Sequence, residues 1–214
     1  VNKYEWDAIM ALWWVFWEKS SENSFYACLS ALEQRDALVL LNTMWKKRGY
    51  AEIKARIWIH SWDAIIWNIW AEWRKMEFTA LWDNVNLASR LEWVNKFYNT
   101  YICVSEDIYK DTKSSFEFRF LDKIRVKWKN ESIKIYELIC SMDKASDETI
   151  SNIQKFWFAV NLYLERDFKT AKARFEKLAA IWDRPSLTYI ERCKQYIKNP
   201  PPEDWDWVWN MLEK

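Results

Sequence analysis

Residues 82–96 read WDNVNLASRLEWVNK, and the rest of the chain is interpreted outward from them. Asn86 and Arg90 stand four apart, so on a helix they share one face. Val85, Ala88, Leu91 and Val94 recur every three residues and form the opposite, apolar face. Asp83 stands where an N-cap belongs, because its carboxylate can accept from the free N–H groups of a first helical turn. The spacing predicts a helix that buries one stripe and presents an amide beside a guanidinium. Taken alone, that is also an ordinary solvated helix face.

The composition around this stretch is unusual. The 214 residues include Gly 1 and Trp 18, where average usage would give roughly fifteen glycines. A domain with one glycine has almost nothing to place at positive φ, in tight turns or behind helix C-termini. Tryptophan stands instead where turns belong: EWDA at 5–8, HSWDA at 60–64, IIWNIW at 65–70, AEWRK at 71–75 and VKWKN at 126–130. An indole at φ > 0 is strained and makes a poor turn. The rings follow neither a helical nor a strand period, which argues against the rival reading, an aromatic surface for carbohydrate. The expectation is a gene whose UGA codons specify glycine.

Working outward, VNKY and AIMALW predict a β-hairpin over 1–14, turning at Glu5-Trp6-Asp7. Phe25, Leu29, Leu32, Val39 and Leu40 approximate a helical period over 20–48, ended by Gly49. A second hairpin is expected over roughly 55–70, and a short strand at 76–81. Beyond the central helix come a strand at 101–104, a short helix capped by Ser105, and strands near 116–120, 122–127 and 133–139. After Cys140 the composition turns polar and then helical: a pair at 148–165 and 168–181 broken at ERDF, and a third helix from Pro185 to Lys198. Pro200, Pro201 and Pro202 end it.

With glycine at the suspected positions, four phrases become VNKYEgDAIMALWg, RIgIHSgDAIIgNIg, FTALgDNVNLASRLEgVNK and FLDKIRVKgKN. They resemble, in family order, the catalytic domain of class III nucleotidyl cyclases, the adenylate and guanylate cyclases. The resemblance covers residues 1–140 and implies an α+β domain of the ferredoxin-like βαββαβ kind, N-terminally truncated. A linker at 141–147, a tetratricopeptide-like helical extension at 148–199 and a Pro/Trp tail at 200–214 follow, together a small all-α tail. RPSLTYIERCKQYIKNPPPEDWDWVW resembles the C-terminal extension of bacterial cyclases. By the same resemblance Trp13, Trp45, Trp205 and Trp209 are genuine and Trp157 is undecided. Trp6, Trp14, Trp17, Trp58, Trp62, Trp67, Trp70, Trp73, Trp82, Trp93, Trp128, Trp182 and Trp207 are the expected glycines.

The resemblance also implies chemistry. ATP is cyclised to 3′,5′-cyclic AMP and pyrophosphate with two Mg²⁺ or Mn²⁺ ions per site. Asp7 matches one metal-binding aspartate; the other lies on an earlier family strand that this sequence does not include. Lys3 and Thr79 match the base-selecting pair, and Lys with Thr favours ATP over GTP. Asn86 matches the ribose-orienting residue, Arg90 the one that stabilises transition-state charge, and Lys127 the lysine on the terminal phosphates. In the family the two halves of a site come from two subunits, so a homodimer is expected. Without the family, Asp7 is a turn aspartate, Lys3 a solvated strand end, Thr79 a β-former, and Lys127 part of a wet basic hairpin.

Net charge of +1, from 32 basic and 31 acidic residues, leaves no electrostatic case for nucleic acid. Cys28, Cys103, Cys140 and Cys193 lack metal spacing and suit reduced thiols in a cytoplasmic setting. A membrane-anchored parent is compatible with the bacterial echo. His60, the only histidine, fits a structural role. The alternative function is a catalytically inactive, cyclase-like nucleotide-binding or protein-interaction module, and the helical extension is a candidate protein-binding surface. Sequencing the gene is expected to find TGA at the thirteen named positions; TGG there overturns the glycine reading.

Overall fold

The structure is a computed structural model that describes residues 3–5, 8–11, 13, 20–61, 66–69, 77–80, 94–126, 132–181 and 183–211. Strands β1 (Lys3–Glu5) and β2 (Ala8–Met10) pair antiparallel, with Lys3 opposite Met10 and Glu5 opposite Ala8. Helix α1 (Ser20–Lys47) follows. Its first half buries Ala27, Cys28, Ala31 and Leu32, and Ser24 donates to Asp111 at 2.9 Å. The small side chains let the helix lie close on the sheet, while Val39 and Leu40 further along are exposed.

Five strands make the main sheet: β3 (Ile57–Ile59), β6 (Ile102–Ser105), β7 (Phe116–Val126), β8 (Ile133–Ser141) and β9 (Trp209–Met211), in the order β3-β6-β8-β7-β9. Strands β4 (Ile66–Ile69) and β5 (Glu77–Ala80) form a separate antiparallel pair. Helix α2 (Glu106–Thr112) packs on α1, and α3 (Asp147–Leu164), α4 (Phe168–Ala179) and α5 (Arg184–Lys198) form the helical extension. The α+β class is as expected.

Four expectations change. The hairpin over 55–70 does not form: β3 pairs in parallel with β6, and β4 pairs with β5. Asn95 holds β3 to the central segment by donating to the Ile57 carbonyl at 2.9 Å. The two strands expected over 116–127 are one, with register shifts at Glu117/Phe118 and Phe120/Asp122, because bulges preserve pairing through an extra residue. Ser105 occupies the N-cap of α2, but its side chain makes no cap bond. The tail is not all-α: β9 pairs in parallel with the end of β7 and becomes the fifth strand.

The helical extension is joined to the sheet by buried polar groups. Arg119 of β7 pairs with Glu137 of β8 and with Asp183, which also caps α5 by accepting from Ser186 N–H at 3.2 Å. Arg192 of α5 pairs with Asp122 of β7, and both side chains are 3–4% exposed. Tyr98 donates to Asp122 and accepts from Arg192 at 2.8 Å. Phe156, Phe175, Tyr163 and Tyr189 fill the core between the helices.

Helix ends repeat one closure, a bond from an N–H to the carbonyl five residues back. Tyr50 to Trp45 encloses Gly49 at φ 78°; Thr100 to Asn95 encloses Asn99 at φ 56°; Asp167 to Leu162 encloses Arg166 at φ 65°. This closure puts its penultimate residue in the left-handed region, where glycine is favoured. Asp183 N–H also reaches the Leu178 carbonyl, at 3.2 Å. Trp207 itself stands at φ 52°.

Removing one member of a buried ion pair strands the other charge and costs about 3–5 kcal/mol. Arg192→Met is therefore expected to lower unfolding free energy by about that amount in a denaturant titration, and Arg192→Met with Asp122→Leu to recover at least half of the loss.

Candidate functional site

Lys3 opens β1 and Thr79 lies in β5 opposite Trp67, so the backbones of both base-selecting candidates are in short antiparallel pairs. The described pairings do not join these two pairs to one another. Asp7, Asn86, Arg90 and Lys127 lie outside the described residues, as do the side chains of Lys3 and Thr79. The described structure does fix what borders them. At the end of the first pair, Glu5 stands opposite Ala8. Residues 94–98, the C-terminal end of the WDNVNLASRLEWVNK segment and its extension, are helical and bury Val94, Asn95 and Tyr98. Val126, immediately before Lys127, is paired with Met211.

The sequence reading missed the polar group that links these borders. Tyr98, Asp122 and Arg192 come from three separated segments and meet with 0–4% exposure. The Arg192 guanidinium also stands 3.8 Å from the Trp209 ring centroid. An aspartate between Leu121 and Lys123 in a strand phrase was a visible signal for a buried partner; nothing local pointed to Arg192, which sits among Glu191 and Lys194. Burial pushes the Tyr98 hydroxyl well above its usual range, as does the Asp122 carboxylate, against the pull of Arg192, so it stays a donor. No group of three or more His, Cys, Asp or Glu among the described residues could hold a metal ion.

The sequence was compared with known proteins. It is 29% identical over 139 residues to adenylate cyclase 1 of Rhizobium meliloti, covering 65% of this chain. It is 31% identical over 157 residues, 70% of this chain, to the terminal-differentiation-specific adenylate cyclase of Dictyostelium discoideum. It is 31% identical over 142 residues, 64% of this chain, to an adenylate cyclase of Anabaena cylindrica. By sequence, this chain is a relative of the adenylate cyclases. It spans 21%, 7% and 28% of the lengths of those three proteins. Among solved structures it is similar to the adenylyl cyclase CyaB from P. aeruginosa, with a TM-score of 0.49 and 22% identity over 60% of this chain and 65% of that one. No family profile matches it. The resemblance drawn from its phrases, to class III adenylate cyclase catalytic domains, therefore stands.

In this adenylate cyclase relative the cysteines are packing groups. Burial pushes the Cys28 and Cys193 thiols up to about 12 and raises Cys103 further. Cys140 is half-buried and also raised by burial. The thiolate is the reactive species, so its scarcity near neutral pH makes these sulfurs poor nucleophiles. At pH 8 the folded protein is expected to react with a thiol reagent at no more than one fast site, Cys140, with all four titrating after unfolding.

Proposed function

We propose that the chain is the C-terminal part of an adenylate cyclase that converts ATP to cyclic AMP and pyrophosphate. The observation that carries this reading is the sequence similarity to three proteins named adenylate cyclase, from three unrelated sources, over about two thirds of the chain. In the reaction the ribose 3′-hydroxyl gives up its proton to water, its oxygen bonds to the α-phosphorus, the bond from that phosphorus to the bridging oxygen breaks, and pyrophosphate departs. Charge accumulates on the phosphates as the bond breaks. The roles follow from that chemistry. Lys3 and Thr79 hold the adenine edge. Asn86 orients the ribose, so that the hydroxyl faces phosphorus. Arg90 offers a fixed fork of donors to the developing charge, and Lys127 neutralises the leaving pyrophosphate. Asp7 is one carboxylate for Mg²⁺ or Mn²⁺, which supplies charge neutralisation and a lowered hydroxyl pKa when bound.

The same proposal includes a homodimer whose site halves come from two copies, action in cytoplasmic signalling, and glycine at the named tryptophan positions. No helix among the described residues is long and apolar enough to cross a membrane. The glycine reading is supported by Trp207 at φ 52°. A flat indole beside Asp7 would also obstruct backbone approach to a triphosphate, which glycine permits.

The test is cyclic AMP formation from ATP and Mn²⁺ by the full-length gene product made with glycine at the named positions. Asp7→Ala and Arg90→Ala are each expected to lower kcat by about 10²-fold or more; wild-type turnover in either overturns its assignment. Lys3→Glu with Thr79→Cys, the residue types of guanylate-type enzymes, is expected to move kcat/KM from ATP toward GTP. An intact gene product that binds ATP without cyclising it would favour the inactive module instead.

A further inference from the structure

The end of β7 is held by the C-terminal tail. The β7–β8 register runs only to Ile124 opposite Ile133, whereas β9 pairs Ile124 with Trp209, Arg125 with Asn210 and Val126 with Met211. Among the described pairings, then, the last two residues before Lys127 have their strand partners in β9 alone. Side chains reinforce the pairing. Arg125 donates to Asn210 at 2.9 Å and to Asp206 at 3.1 Å, and the Lys123 ammonium lies 4.3 Å from the Trp207 ring centroid. Met211 is buried with Leu121, Ile124 and Ile135.

Helix α5 grips the same strand further back and the central helix at the same time. Leu121 is the extra residue of a bulge, between Phe120 opposite Tyr136 and Asp122 opposite Ile135. A bulged residue loses its ladder partner, and here Tyr189 donates to the Leu121 carbonyl at 2.6 Å. Arg192 pairs with Asp122 and donates to Tyr98, and Thr188 donates to the Phe97 carbonyl at 3.1 Å. The tail that carries β9 is anchored independently, by Arg166 donating to the Pro202 and Glu203 carbonyls at 2.6 and 2.8 Å and by Trp205 packed between Tyr163 and Phe168.

We propose that the helical extension and β9 position the substrate-phosphate machinery, with Arg192 as the positioning residue that locks the end of the Asn86/Arg90 segment to the strand leading into Lys127. The proposal rests on the adenylate cyclase reading of those three residues. The tie at Asp122 and at Ile124–Val126 fixes the strand end that precedes Lys127 against the helical turn at 94–98, and a ~1 Å misplacement of catalytic groups is enough to cost about a hundredfold.

The test compares the full-length gene product with two variants, Arg192→Met and a chain ending at Trp205, each first shown to unfold in one cooperative step. Hydrogen exchange over residues 118–135 and binding of 3′-deoxy-ATP, which lacks the attacking hydroxyl, are measured alongside cyclic AMP kinetics. Expected are faster exchange at 122–126 in both variants, at least tenfold weaker 3′-deoxy-ATP binding from the displaced Lys127, and a kcat for ATP lowered as well, since Arg90 acts on charge that develops only in the transition state. Exchange unchanged in the truncated chain overturns the proposal, as does faster exchange with unchanged 3′-deoxy-ATP binding. A wild-type protein that binds 3′-deoxy-ATP but makes no cyclic AMP overturns the cyclase reading alone, and the exchange and binding arms still decide the positioning. If Arg192→Met does not fold, the truncated chain, which keeps α5 and the Arg192–Asp122 pair, carries the decision for β9.

Discussion

One buried ion pair, Arg192 with Asp122, decides how this chain is built. Charges in a dry interior are costly unless each finds a partner and every remaining donor is used. Here Asp122 also accepts from Tyr98, and the guanidinium also donates to Tyr98 and lies against Trp209. Four segments far apart in sequence must arrive together to meet most of that cost; the Arg192 Nε–H, buried, still has no hydrogen-bond partner. A loosely appended extension cannot satisfy that requirement, so the extension is tied to the sheet through Asp183 and Arg192. The second buried pair works alike: Arg119 reaches Glu137 across the sheet and Asp183 at the start of α5.

This explains why the domain architecture reads one way in sequence and another in space. The shift to polar residues after Cys140 is real, and the helices that follow begin close to the expected residues, because caps and 3.6-residue periodicity are local signals. Ser146 and Asp167 each accept from the N–H three residues on, at 3.1 Å. The docking of those helices is not local. Arg192 looks like one more charge on an amphipathic helix, and Trp209-Asn210-Met211 is too short to announce a strand. Strand partners were likewise hidden: β3 and β4 resemble a hairpin because they are neighbours in sequence, yet β3 finds β6, more than forty residues away, to form a parallel pair. Pairing was legible where the partners are neighbours, as in β1 with β2, and not where they are distant in sequence.

Of the candidate site, sequence supplied the residues and the structure supplies their frame. Lys3, Thr79, Asp7, Asn86, Arg90 and Lys127 were chosen by family phrase, since nothing in their spacing alone separates them from solvated polar positions. The described residues constrain the edges of that set: the register at Glu5 and Ala8, the helical turn ending at Tyr98, and the last pairings of β7. Tyr98 and Asp122 belong to those edges but escaped notice, because neither carries reaction chemistry and each has meaning only with Arg192 beside it.

The same contrast between local and distant signals bears on the missing glycines. A helix that ends with an N–H bonded to the carbonyl five residues back must turn its penultimate residue left-handed, whatever the side chain. Gly49 does so at no steric cost, Asn99 at little, and Arg166 at a cost offset by its hold on the Pro202 and Glu203 carbonyls. Bulky rings have no such compensation in general, and αL backbone outside glycine costs on the order of 1–2 kcal/mol per residue. Set against a net stability of about 5–15 kcal/mol for a domain, the strain at Trp207 alone is a noticeable fraction. Contacts such as Trp207 over Lys123 return only about 0.5–1 kcal/mol at an exposed site. At Trp207, then, the strain of a left-handed backbone exceeds or equals what the ring returns, whereas Trp58 and Trp67 sit in the extended strands β3 and β4, where an indole meets no such cost.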